Sequence, residues 1–197
     1  MSGIQVAKQS FYDPKFQSTC VNVLPGEFYV TQTSGEMVMT ILGSCVAACI
    51  RDKVQGIGGL NHFLLAEPSM NVGSQSTRYG SYAMECLIND ILKRGGRRED
   101  LEVKIFGGSD LMNSALQIGK KNANFIHTYL ANEGLKIAAE DLGGTRPRRI
   151  HFWPDSGRVV RLVLQGQEQQ KVLQTETVYT STLKKKEESH GDIELFT

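Results

Sequence analysis

Cys45 and His62 are the two residues whose types and spacing allow covalent chemistry. A thiol attacks as thiolate, and a free cysteine titrates near pH ~8.5, so it needs a base at neutral pH. A neighbouring histidine can take the proton and form the ion pair that thiol hydrolases use. His62 follows Cys45 by 17 residues, and Gly43-Ser44 stands immediately before the thiol. Such small residues let a substrate come close and leave a peptide N–H free to face a developing oxyanion. The plainer alternative is that Cys45 fills core, because free cysteine is among the most buried residue types. Residue types alone leave both readings open and favour the plainer one.

The remaining thiols and imidazoles read as structural. Cys49 lies in the same apolar run as Cys45 without a glycine beside it, and Cys86 falls on a predicted helix. Cys20 has no base near it in sequence. Cys45 and Cys49 are four apart, but no second Cys/His pair at ligand spacing follows, so zinc ranks below the other readings. His127 sits on the apolar stripe of a second predicted helix and is expected to be a core histidine. His151 precedes Phe152-Trp153 in a strand, where packing or a surface role is expected. His190 belongs to a polar tail. Gly107-Gly108 and Gly143-Gly144 match neither a P-loop nor a dinucleotide fingerprint and read as turns.

The elements that must position the pair follow from hydrophobic spacing. Met37 to Arg51 is nearly continuous in apolar and small residues, as in a strand covered on both faces, with Gly43-Ser44 interrupting it. Arg51-Asp52-Lys53 makes a polar turn, and Gly56 to Leu65 reads as the next strand. Sequential strands often pair, so Cys45–Ile50 and Gly58–Leu65 are expected to lie antiparallel. Glu27–Thr31 and Leu101–Phe106 read as further strands, as do Leu135, Ile137 and Ala139. Arg149–Trp153 and Arg158–Leu164 form a hairpin around Pro154-Asp155-Ser156-Gly157. Glu67–Tyr79 reads as a surface loop. Gly80, Ala83, Met84, Leu87, Ile88 and Ile91 recur at helical spacing, ended by Gly95-Gly96. Ala123, Ile126, His127 and Leu130 mark the second helix, ended by Gly134.

The class is therefore α/β or α+β: mixed, largely antiparallel sheet layers flanked by helices, in a single domain. Its expected division is an N-terminal arm over 1–24, a catalytic domain over 25–165 and a flexible polar tail over 166–197. The final Ile193-Glu194-Leu195-Phe196 is either a frayed end or a docking peptide. A chain of 197 residues, 40% hydrophobic, 22% charged and of net charge +1, buries one ordinary core. The charge balance argues against a nucleic-acid partner, which asks for a basic excess. No run is long enough to insert into a membrane, and Met1-Ser2-Gly3-Ile4-Gln5 lacks the basic start and apolar stretch of a secretion signal. A cytoplasmic location with reduced thiols is expected.

Leu42-Gly43-Ser44-Cys45-Val46-Ala47-Ala48-Cys49, followed by Gly58-Gly59-Leu60-Asn61-His62-Phe63-Leu64-Leu65, resembles the CheD family of chemoreceptor glutamine deamidases. The resemblance continues through Arg78-Tyr79-Gly80, Lys104-Ile105-Phe106-Gly107-Gly108, Ile118-Gly119, Asn122 and Asp141-Leu142-Gly143-Gly144, from about Pro25 to Leu164. The joint match of the Cys and His segments is what makes it specific. It implies that Cys45 is the nucleophile, His62 the general base and Thr40 the third catalytic residue. Gly43, Ser44 and Asn61 become candidates for the oxyanion pocket or for shaping the site. It implies no metal and no organic cofactor. The implied partners are the cytoplasmic helices of chemoreceptors and, in many members, a CheC-like phosphatase. Two other readings stay open: a regulator that binds such partners without catalysis, and a thiol protease or acyltransferase on a similar dyad.

Overall fold

The computed structural model describes residues 4–65, 75–111 and 117–188. The apolar run around the thiol folds as two strands that belong to different sheets. β5 (Met37–Leu42) ends at Gly43, and β6 (Val46–Asp52) begins just beyond Cys45. Before them come β1 (Gln5–Val6), β2 (Gln9–Asp13), β3 (Ser18–Asn22) and β4 (Glu27–Thr31). The first 24 residues thus carry three strands. After them come β7 (Gly58–His62), β8 (Leu101–Gly107), β9 (Ile137–Leu142), β10 (Arg148–Trp153) and β11 (Arg158–Val163).

One sheet has the order β1-β4-β7-β6-β8-β9, the other β11-β10-β5-β3-β2. Both are mixed and largely antiparallel: β1 with β4, β8 with β9 and β3 with β5 are the parallel pairs. The expected pairing of β6 with β7 is present, with Cys49 opposite Leu60 and Arg51 opposite Gly58. The hairpin of β10 and β11 is also present, closing on Trp153 opposite Arg158.

Side chains alternate along each strand, so β6 feeds two cores at once. Val46, Ala48 and Ile50 face the helices α1 (Gln75–Lys93) and α2 (Ile118–Asn132). Ala47 and Cys49 face the second sheet, where Val38, Leu42, Ile150 and Phe152 meet them. Each buried Leu, Ile or Phe in such a layer contributes about 1.5–3 kcal/mol. The molecule is one α/β domain of helices, sheet and second sheet.

Two expectations need correcting. α1 starts at Gln75, not after Tyr79, because its first turn is polar and gives no apolar signal. His127 is not a core histidine. The buried stripe of α2 runs through Asn122, Phe125, Ile126, Tyr129 and Leu130, which turns His127 outward to within 3.2 Å of Glu140. The polar segment after Gln165 carries a third helix, α3 (Gln167–Glu188). His190 and Ile193-Glu194-Leu195-Phe196 lie outside the described residues, as does most of the loop expected over Glu67–Tyr79.

Candidate active site

Cys45 sits where the chain crosses from β5 in one sheet to β6 in the other. Just beyond it, Val46 and Phe63 exchange both backbone hydrogen bonds, at 3.0 Å each. That register sets Cys45 opposite Leu64 and Ala47 opposite His62. Cys45 and His62 therefore share the face turned toward β5, as diagonal neighbours. Such positions lie about 7–8 Å apart at the backbone, a span that an aromatic side chain bridges. The β4 edge holds the histidine backbone: Glu27 of β4 pairs with His62, and the His62 carbonyl accepts from Gly26 N–H at 2.8 Å.

Thr40 reaches His62 from the opposite sheet. Its Oγ1 is 2.7 Å from the Val23 carbonyl and 2.8 Å from His62 Nδ1. A carbonyl only accepts, so the hydroxyl proton goes to Val23, and the hydroxyl oxygen accepts from Nδ1–H. This assigns the proton to Nδ1 and leaves Nε2 as a free base. Nε2 is buried and has no hydrogen-bond partner among the described residues. Burial pushes the imidazole down to about 4, so it is neutral near pH 7. The Cys45 thiol is pushed well up, by burial first and then by the negative charge of Glu176.

That charge comes from α3. The Glu176 carboxylate accepts from Gly43 N–H at 3.1 Å, Ser44 N–H at 3.1 Å, Cys45 N–H at 3.3 Å and the Ser44 hydroxyl at 2.8 Å. Three consecutive peptide N–H groups turned toward one carboxylate make an anion-binding nest. Their direction is set from behind. The carbonyl and N–H of a trans peptide point opposite ways. Asn122 holds the Ser44 carbonyl at 3.1 Å, which aims Cys45 N–H into the nest. Ser109 N–H holds the Gly43 carbonyl at 2.7 Å, which aims Ser44 N–H the same way. Gly108 N–H takes the Cys45 carbonyl at 2.7 Å. This close approach explains Gly107: a Cβ there would stand 2.1 Å from the Cys45 oxygen, at a φ of 112°.

The structure thus brings Thr40, Gly43, Ser44, Cys45 and His62 together, and Asn61 does not join them. Asn61 is fully buried on the other face of β7, where it accepts from Ala48 N–H at 3.0 Å and donates to the Ala83 carbonyl at 3.0 Å. It braces β6 against α1 and has no contact with the nest. Four participants escaped sequence reasoning: the Val23 carbonyl, Asn122 and Ser109 in their bracing roles, and Glu176. The last left a signal. Glu168, Val172, Glu176 and Tyr179 follow helical spacing inside a segment too polar to invite the test. Among the described residues, no group of three or more His, Cys, Asp or Glu is placed to hold a metal ion.

A family model described as CheD chemotactic sensory transduction matches residues 64–162, which take in Gly107-Gly108, Asn122 and the β10–β11 hairpin. A protein from Rhodopseudomonas palustris named "Probable chemoreceptor glutamine deamidase CheD" is 50% identical over 94% of this chain and 88% of its own length. Proteins of the same name from Methylobacillus flagellatus and Thiobacillus denitrificans are 44% and 42% identical, each over 98% of this chain and over 97% and 96% of their own. Similarity at this level along nearly the whole length, together with the family-model match, shows that this chain belongs to the CheD family.

Proposed function

We propose that this chain is a protein-glutamine deamidase that hydrolyses side-chain amides of chemoreceptor glutamines to glutamate. The observation that carries the reading is the nest itself. Beside a thiol and a free imidazole nitrogen, it holds a glutamate carboxylate, the group this reaction produces.

His62 Nε2 takes the proton from Cys45 Sγ, and the thiolate adds to the amide carbon of the glutamine. The amide oxygen gains negative charge and is held by the N–H groups of Gly43 and Cys45, in the place where Glu176 Oε1 now sits. His62 gives its proton to the nitrogen as the C–N bond breaks, and ammonia leaves. Water, deprotonated by the same imidazole, then cleaves the thioester, releasing glutamate and restoring the thiol. One amide and one water become one carboxylate and one ammonia. Thr40 orients His62 through Nδ1–H, as the third member of a triad does. A hydroxyl is neutral, so it fixes the tautomer without raising the imidazole's basicity, consistent with a histidine near 4. No step calls for a metal or an organic cofactor.

The partners in this reading are receptor cytoplasmic helices, met in the cytoplasm, and a CheC-like phosphatase. No helix among the described residues is long and apolar enough to cross a membrane. The test is to incubate the protein with a receptor cytoplasmic fragment and map glutamine-to-glutamate conversion by peptide mass. Conversion is expected with the wild type and absent with Cys45→Ala. Conversion that survives Cys45→Ala would overturn the mechanism, and backbone cleavage or acyl transfer in its place would redirect it.

A further inference from the structure

We propose that α3 is an intramolecular pseudo-product: it inserts Glu176 where a substrate glutamine must bind, and holds the enzyme closed until it lifts. This rests on the deamidase reading of the site. Glu176 is the α3 residue whose carboxylate takes all three backbone N–H groups of the nest and the Ser44 hydroxyl. A tetrahedral oxyanion on Cys45 needs the same donors. Glu176 and a reacting glutamine therefore cannot occupy the site together.

The rest of α3 is built to hold that side chain in place. Glu168, Val172, Glu176 and Tyr179 are spaced by four, four and three residues, so they lie along one face of the helix. Glu168 bonds Arg149 at 2.8 Å, and Val172 is buried. Tyr179 packs against the inter-sheet core, and its hydroxyl lies 3.3 Å from that of Tyr79 on α1. Under this lid Cys45 is 0% exposed and His62 2%, so no substrate reaches them without a movement. The closed state also keeps the dyad uncharged, because burial lifts the thiol and depresses the imidazole, and the Glu176 charge lifts the thiol further. The docking face is narrow, and Thr175, Thr177 and Val178 around it are exposed. A helix held this way can release without unfolding the domain. The geometry also describes the substrate: a glutamine presented on an intact helix, its amide in the position of the Glu176 carboxylate.

Three full-length proteins test this: wild type, Glu176→Ala and Tyr179→Ala, the last loosening α3 away from the nest. Cys45 alkylation by iodoacetamide is followed by peptide mapping. Both variants should alkylate Cys45 faster than wild type, by on the order of tenfold or more for Glu176→Ala. The KM for a receptor fragment should fall in parallel. Equal alkylation in all three proteins, or slower alkylation in Glu176→Ala with lost stability, would mean that Glu176 merely caps the turn and would overturn the proposal. Alkylation reads the lid without any substrate. Faster alkylation with no deamidation by any variant therefore sinks the deamidase reading and leaves the lid standing. A fourth protein, Glu176→Gln, presents the enzyme with an internal substrate. Its introduced glutamine should convert to glutamate when Cys45 is present and persist in the double variant with Cys45→Ala. Persistence in both would count against the product geometry.

Discussion

Thr40 is tied to His62 by a single hydrogen atom. Its hydroxyl proton is committed to Val23, and that commitment makes the oxygen an acceptor for His62 Nδ1–H. Thr40→Val keeps the shape and removes the acceptor, so the imidazole loses its fixed tautomer. We expect kcat for receptor-fragment deamidation to drop by about 10²-fold, the scale of a positioned acid–base group. Little change in KM and recovery in Thr40→Ser are expected alongside. A Thr40→Val enzyme with wild-type kcat would remove Thr40 from the triad. At this scale the sequence was informative about which side chains the fold brings to one face, because a thiol after Gly-Ser and a histidine on the next strand are local features. It was silent on the Val23 carbonyl, since every residue has a carbonyl and only the fold selects one.

The turn from β5 to β6 is the element on which the site depends. The Ser44 and Cys45 N–H groups are aimed into the nest because the carbonyls of their peptides are held from behind by Ser109 and Asn122, while Gly108 anchors the Cys45 carbonyl just beyond. Gly107 allows this approach, so Gly107→Ala must either push the Cys45 carbonyl away or break the β8 end. We expect a cost of about 3 kcal/mol in urea unfolding, combining a forced contact with a left-handed backbone. Iodoacetamide reactivity at Cys45 should change with it, because the turn itself moves. Gly107-Gly108 reads from sequence as a turn, which is correct locally but incomplete. It also backs the Cys45 carbonyl, a relation between strands that pair as β6 and β8. Helix α3 was similarly illegible as a contact: its spacing was in the sequence, but a polar helix shows no destination until something receives its one buried face.

At the scale of the whole molecule, two sheets face each other with a histidine buried in each. His62 lies between them, and His151 on β10 packs tilted against Phe16 with ring centroids 4.8 Å apart. Burial holds both near 4, below the ordinary 6.5, and nearby Arg149 adds to the effect at His151. Stability from keeping them neutral is complete above pH ~6.5 and is lost as pH falls toward 4, by up to about 3 kcal/mol each. The urea midpoint should therefore fall between pH 7 and pH 4.5, and fall less in His151→Phe; an equal fall in that variant would count against the assignment for His151. By itself the sequence determined a mixed class, α/β or α+β, the β6–β7 pairing and the family resemblance, because hydrophobic period, turn residues and a contiguous motif are all local signals. The tertiary structure alone decided that Thr40 meets His62, that Asn61 turns away, and that Glu176 fills the nest. Each of these depends on how one layer sits on another, and the period within a strand or helix carries no record of the layer it faces.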